Sequence, residues 1–367
     1  MENSAISRET LVALHETEGI GWLTIRQLWL ARRERPIRPG MREGDLRECG
    51  LQPKQAAAAA ASLSADRIEA RSRRRRRAGI EVVTLADPEY PRMLKRTLDP
   101  PPVLYYIGRL DLISRPAIAV VGTRLATSYG KLVAEQFAAA FSDRGFTVVS
   151  GMAKGIDSCA HRGALNRAGS TIAVLGLPVD RIYPPDNRQL YREIRDKGLL
   201  LSEAPPDMPY HHGMFPARNR VIAGLSLAVV VAEAPDESGA LITAAKAVEA
   251  DRPVFVVPGP VTSPRSRGGM AMLRDGTASA ALAPEDVMRP FASRVDSPDE
   301  PREEPEPEAE LTADEREIYK WLLDQPRTVD ELSADAGIPA GSLHATLLSL
   351  QIKRKIQRLP GSLYGAL

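Results

Sequence analysis

Thr147-Val148-Val149-Ser150-Gly151-Met152-Ala153-Lys154-Gly155-Ile156-Asp157-Ser158-Cys159-Ala160-His161 is the stretch whose reading decides the fold. A β-branched run ends in Ser-Gly, a lysine and a second glycine follow, and a helical stretch opens. Strand, glycine turn and helix start, in that order, form the repeating unit of open α/β sheets, and the helix N-terminus offers unpaired N–H groups to the turn. The same alternation continues on both sides, with apolar runs at 118–121, 171–175, 227–231 and 254–257. Apolar strands bounded by Gly and Pro predict a doubly wound, mainly parallel Rossmann-like sheet over 79–290, covered on both faces. Ligands of such sheets sit beyond the strand C-termini, near a topological switch point.

Working outward, the candidate chemistry falls at those strand ends. After the run at 118–121 come Gly122-Thr123-Arg124 and then Ser128-Tyr129-Gly130, opening a helix. Glycine admits a phosphate to the backbone, the helix start attracts it, and Arg124 adds a bidentate donor. No Gly-x-Gly-x-x-Gly is present here, so NAD binding has little support. In the deciding stretch, Ser150, Gly151, Lys154 and Gly155 repeat the device. Asp157 and His161, four apart, share a helical face; they are expected to cap the helix and to fill a buried polar contact, with an acid–base dyad as the alternative. A third block, Phe215-Pro216-Ala217-Arg218-Asn219-Arg220, follows His211-His212. Phe215 offers either a face for a base or a core side chain, and Arg218 and Arg220 could hold the adjoining phosphates. In the fourth, Glu233 ends a strand and Ser238-Gly239 starts a helix containing Thr243. Four glycine-bearing strand ends along one sheet edge favour a groove that tracks a polymer backbone over one compact catalytic pocket.

The flanks differ in character. Residues 1–75 read as short helices around a Gly19-Ile20-Gly21 break, a helix-hairpin-helix-like or SAM-like arrangement in which the turn serves close packing or, alternatively, a phosphate. An arginine run, Arg73 to Arg77, closes that region just before Gly79. It is either a solvated helix end that complements the dipole or a phosphate-tracking patch. Residues 291–310 are acidic and proline-rich and read as an extended linker. Residues 311–367 carry helical spacing around 336–339 and a hairpin signal at 359–364, the pattern of a winged helix, with its candidate recognition helix at 342–350.

Composition bounds the function. The chain has 367 residues, 43% of them hydrophobic, and a net charge of +2, so local rather than total charge decides partners. Cys49 and Cys159 are too few and too far apart for a disulfide framework or a cysteine-rich zinc site. No apolar run approaches a membrane span and the N-terminus lacks a signal pattern, so the expected location is the cytoplasm, with no membrane contact. Aromatic residues make up only 5% of the chain, which predicts that electrostatics outweighs stacking.

The four blocks, in this order, closely resemble the DNA-processing protein A (DprA/Smf) family. Its core carries a Gly-Ser/Thr-Arg turn and blocks of the form Ser-Gly-x-Ala-x-Gly-Ile-Asp-x-x-Ala-His, Phe-Pro-x-Arg-Asn-Arg and Ser-Gly-x-Leu-Ile-Thr. The resemblance implies non-catalytic, cooperative binding of single-stranded DNA, a homodimer formed through the core, loading of the RecA recombinase, and a role in natural transformation. It implies no cofactor and no metal. The implied contact residues are Gly122, Thr123, Arg124, Ser128, Ser150, Gly151, Lys154, Gly155, His212, Phe215, Arg218, Asn219, Arg220, Ser238, Gly239 and Thr243. The chain departs from the family pattern at Pro178, at Met270 where an Asn is usual, and at His212 where many members have lysine. Two other readings stay open: a nucleotide hydrolase or phosphoribohydrolase using Asp157 with His161 or Glu233, and a duplex-binding regulator acting through the winged helix.

Overall fold

The computed structural model describes residues 6–31, 36–210, 212–296, 311–324, 327–336, 340–353, 355–359 and 363–366. One compact unit ends at Asp296 and a second begins at Ser297. The first opens with helices α1 (Arg8–His15), α2 (Trp22–Ala31), α3 (Glu43–Glu48), α4 (Pro53–Ser62) and α5 (Ala65–Arg77). Strand β1 (Glu81–Thr84), helix α6 (Arg92–Lys95), β2 (Val103–Gly108) and β3 (Ala117–Gly122) follow. Next come α7 (Ser128–Asp143), β4 (Thr147–Ser150), α8 (Ile156–Ala164), β5 (Thr171–Leu175), α9 (Arg188–Lys197) and β6 (Leu199–Ser202). The unit closes with α10 (Met214–Leu225), β7 (Ala228–Glu233), α11 (Gly239–Glu249), β8 (Val254–Val256), α12 (Arg267–Arg274), β9 (Ser279–Ala280), α13 (Pro284–Met288) and α14 (Ser293–Asp296).

The nine strands form one sheet in the order β1-β2-β6-β5-β4-β3-β7-β8-β9. From β6 to β9 all neighbours run parallel. At the other edge β1 and β2 are added antiparallel. Strand β3 shows why the sequence folds this way. Alternate residues point to opposite faces, so Ile118 and Val120 enter the core beneath α7 and α8, whereas Ala117, Ala119 and Val121 enter the core on the opposite face with side chains of α10 and α11. Each such Val or Ile, fully buried, contributes about 1.5–3 kcal/mol. Chain order reverses between β3 and β7, which is the switch point.

Helices α1 to α5 share a single apolar core with Val82 of β1 and with Val103 and Tyr105 of β2. Arg75 of the basic run and Arg71 just upstream of it hold this seam. Arg75 Nη1 lies 2.6 Å from Glu16 Oε1 and Arg71 Nε 3.7 Å from Glu16 Oε2, while Tyr105 donates its hydroxyl to the same carboxylate. Burial is the largest influence on Glu16 and raises its pKa against the two guanidinium groups. Those two arginines are therefore structural cations of the seam. Residues 291–296, expected to begin the linker, instead form a short turn and α14, with Phe291 and Val295 packed on the core; two apolar side chains at helical spacing outweigh the local proline and charge. The rest of the expected linker, 297–310, lies outside the described residues.

The second unit contains α15 (Ala313–Asp324), β10 (Arg327–Thr328), α16 (Val329–Ala336), α17 (Ala340–Ile352), β11 (Ile356–Leu359) and β12 (Leu363–Ala366). Its three strands pair in the order β10-β12-β11 around a core of Ile318, Leu322, Leu332, Leu343, Leu347 and Leu350, a winged-helix arrangement. The expected turns at 337–339 and 360–362 lie outside the described residues.

Candidate nucleic-acid interface

The switch point between β3 and β7 does not open into a crevice. Glu233, the last residue of β7 and 6% exposed, points its carboxylate at the start of α7, where Oε2 accepts from the Thr127 amide at 2.8 Å and Oε1 from the Thr127 hydroxyl at 2.8 Å. Thr127, not Ser128, caps α7, taking the Gly130 amide at 3.0 Å. An internal carboxylate thus occupies the place where the dipole would attract a phosphate. The turn after β4 is treated likewise: Asp157 Oδ2 accepts from the amides of Gly151 and Ala153 at 3.2 and 3.3 Å. The expected row of vacant amide-lined notches is corrected on this point, because two of them are satisfied by the chain's own acids.

What does open is a cleft of about 100 Å³ over the carboxyl ends of β3, β4 and β5. Its walls are Arg124 after β3, Gly151 to Lys154 after β4, Leu175 to Leu177 after β5, Arg181, Tyr183 and Pro184 from the next loop, and Phe215 and Arg218 from α10. The turn into α8 is shaped by Gly155, whose φ of +80° belongs to the left-handed region and whose Cβ, if present, would meet the Thr123 carbonyl oxygen at 2.4 Å. Aromatic faces gather at the mouth. Phe215 is 5.3 Å from Tyr183 and 6.3 Å from Tyr210, between ring centroids, and the guanidinium of exposed Arg124 stands 5.9 Å from the Phe215 centroid. Lys154 is also exposed and pairs with exposed Asp186 at 2.9 Å, a contact worth at most about 1 kcal/mol and readily exchanged.

Arg218 lines the floor, but its guanidinium is turned inward. It donates to the carbonyl of Gly151 at 2.7 Å, to that of Val174, and through Nε to Asn219 Oδ1 at 3.1 Å. Gly151 is required beneath it, since a Cβ there would stand 2.5 Å from Nη2. Burial lowers the Arg218 pKa to about 10, leaving it charged at neutral pH, with Asp157 as the facing anion. Burial likewise raises the Asp157 carboxyl. His161 is buried with both ring nitrogens engaged, Nε2 by the Met152 amide at 3.3 Å and Nδ1 by the Thr171 hydroxyl at 2.7 Å. Burial pushes its pKa down to about 3.

Of the residues expected from sequence to meet a ligand, Arg124, Gly151, Lys154, Phe215 and Arg218 come together in this cleft, and Gly122, Thr123 and Gly155 shape its turns. Others are placed elsewhere. Ser150 is fully buried and its hydroxyl ties β4 to the Val120 carbonyl, while Thr243 is 2% exposed inside α11. Asn219 reaches the Gly239 carbonyl at 3.3 Å, joining α10 to α11. Arg220 faces away and pairs with Glu203 and Asp99. Ser238 is the cap of α11, and Gly239 is exposed beyond the cleft. His212 is exposed at the rim and shares a 3.1 Å hydrogen bond with the Tyr210 hydroxyl; His211 lies outside the described residues. Pro178 follows the cleft residue Leu177, whereas Met270 is half-buried on α12, away from it.

Arg181, Tyr183 and Tyr210 were not foreseen. The whole-chain aromatic content hid their clustering, which sets three rings beside the Arg124 guanidinium at this rim. Among the described residues, no group of three His, Cys, Asp or Glu side chains is placed to hold a metal ion. Nor is any described helix long and apolar enough to cross a membrane.

Residues 81–292 match the family model for DNA recombination-mediator protein A, and residues 302–362 match that of the DprA winged helix domain. Protein Smf of Synechocystis sp. is 37% identical over 318 residues, covering 77% of this chain and 79% of its own length. DNA processing protein DprA of Bacillus subtilis is 38% identical over 220 residues, 60% of this chain and 74% of that protein. Among solved structures, DprA from Streptococcus pneumoniae superposes with a TM-score of 0.68 at 30% identity, covering 77% of this chain and 98% of that one. DprA from Helicobacter pylori, whose structure is described as showing a single-stranded DNA binding mode, gives 0.54 at 30% identity, over 59% of this chain and 99% of that one.

Proposed function

The chain belongs to the DNA recombination-mediator protein A family, and from that premise we propose that it binds single-stranded DNA without chemical conversion, in the cleft over β3, β4 and β5. The observation that carries this reading is the meeting of Phe215, Tyr183 and Tyr210 with Arg124 and Lys154 at one rim. Aromatic faces accept any base, and the cations take the adjoining phosphates. The Helicobacter pylori relative's binding of single strands supports the assignment. Catalysis is disfavoured by the state of the three candidate acid–base groups: Asp157, His161 and Glu233 are all buried and engaged in internal hydrogen bonds. The proposed role is that of a mediator working in the cytoplasm as a homodimer, handing the strand to the RecA recombinase.

Titration with labelled single strands at two salt concentrations tests the reading. Arg124→Ala should weaken binding to all sequences alike, reduce the log–log salt slope by ~0.7, and leave the melting temperature nearly unchanged, since the side chain is exposed. Phe215→Leu keeps an apolar group against Leu177 and Met214 while removing the aromatic face, and should cost ~1–3 kcal/mol of binding. An affinity indifferent to salt and to both substitutions would sink the proposal.

A further inference from the structure

We propose that the flank of α5 carrying Arg67, Arg74 and Arg77 is a second phosphate-tracking surface, which takes a single strand onward after it leaves the cleft. The inference rests on the cleft binding DNA. A helix turns roughly 100° per residue, so the arginines of α5 divide into faces. Arg71 and Arg75 point inward to Glu16, and Arg73 and Arg76 point outward on the far side, against Glu69 and Ser72. Arg67, Arg74 and Arg77 fall on the remaining flank, over about 15 Å of axis at 1.5 Å per residue, room for more than one phosphate. All three are exposed, and among the described residues no acid pairs with Arg67 or Arg77.

This flank adjoins the cleft. Arg74 grips Asp207 with both terminal nitrogens, Nη2 lying 2.7 Å from Oδ1. The next residue, Met208, packs in one small apolar cluster with Phe215, Met214 and Leu177, and Tyr210 stands two residues further on. The arginine stripe therefore begins where the aromatic rim ends. The Arg74–Asp207 pair is 69% and 62% exposed, which makes it worth at most about 1 kcal/mol, and a phosphate can replace the carboxylate at little cost. A membrane fits this surface less well. An interfacial helix needs an apolar face toward lipid, and the one large apolar side chain of α5, Ile68, packs inward on the N-terminal core.

The test uses the full chain and two single-stranded oligonucleotides, one of about 6 nucleotides that covers the cleft mouth and its aromatic rim and one of about 24 that reaches beyond them. The triple variant R67Q/R74Q/R77Q should bind the short strand as the wild type does. It should bind the long strand roughly tenfold more weakly, with a log–log salt slope smaller by ~2, for three contacts at ~0.7 each. Asp207→Asn, which frees Arg74, should tighten the long strand severalfold and leave the short one unchanged. Equal affinity and slope for wild type and triple variant on the long strand overturns this inference alone. Failure of the wild type to bind the short strand overturns the cleft reading as well. Loss of binding to phosphatidylserine vesicles in the triple variant, with DNA binding intact, overturns the inference in favour of lipid.

Discussion

Replacing Arg218 with alanine is expected to cost about 3–5 kcal/mol of folding stability, a large part of the 5–15 kcal/mol that holds a domain together. Arg218 is 6% exposed and its guanidinium spans the carbonyls of Gly151 and Val174, so its loss removes a charged donor from both oxygens. It also strands Asp157, whose carboxylate faces Arg218 inside the protein. Truncating one member of a buried pair leaves the other as an uncompensated charge, and that residual charge is the larger share of the penalty. Denaturant unfolding of the wild type, Arg218→Ala, Asp157→Asn and the double variant would separate the contributions. The double variant should be less damaged than the two single losses added together, because the coupled charges leave as one. A loss under about 1 kcal/mol for Arg218→Ala, accompanied by weaker DNA binding, would instead return Arg218 to the role of a surface ligand.

The second large effect is a loss of stability in mild acid. His161 is buried and His15 half-buried, and both are held neutral, with pKa values pushed down to about 3 and about 4 from 6.5, chiefly by desolvation. Unfolding exposes both, so below pH 6.5 the unfolded chain takes up protons that the folded chain refuses. The stability they confer is complete above that pH and is lost as the pH falls toward the folded values. Each withdraws up to about 1.4 kcal/mol per pH unit once the pH is well below 6.5, and the two together about 3 kcal/mol between pH 6.5 and 5. Glu16, Asp157 and Glu203 act in the opposite direction, since burial raises their folded pKa values and protonation favours the folded state. The histidine contribution is therefore isolated by difference. His161→Gln, which retains a donor and an acceptor for Thr171 and the Met152 amide, should reduce the acid-side slope of stability against pH by about 1.4 kcal/mol per unit. Parallel slopes for wild type and variant would mean that His161 protonates in place.

The parallel heart of the fold was legible because both faces of its strands are covered, which makes runs such as 118–121 and 171–175 continuously apolar. Strands β1, β2, β6 and β9 were not foreseen. The Leu199-Leu200-Leu201 run of β6, set off from the charged helix α9 by Gly198 alone, is too short to show a strand period; β9 is two exposed residues long; and β1 and β2 join the sheet through antiparallel pairing that no local period announces. At the site, Arg124, Lys154 and Phe215 could be found because glycine turns mark strand ends. Tyr183 and Tyr210 arrive from irregular loops, where nothing in the spacing says that three rings will converge. The inward turn of Arg218 is hidden from the sequence for a different reason. Sequence shows that an arginine begins the second turn of a helix, but the direction in which that side chain turns depends on the strands it is laid against, and here it turns toward β4 and β5.

Glu233 gives the scaffold a property of its own. In an open sheet of this kind, the gap where chain order reverses is where a coenzyme's phosphates would neutralise the gathered helix dipole. Here the polypeptide furnishes that counter-anion itself, from the last residue of β7. The gap between β3 and β7 is thus filled as soon as the chain has folded, and the neighbouring ends of β3, β4 and β5 are left to form the one cleft that opens at this edge of the sheet among the described residues.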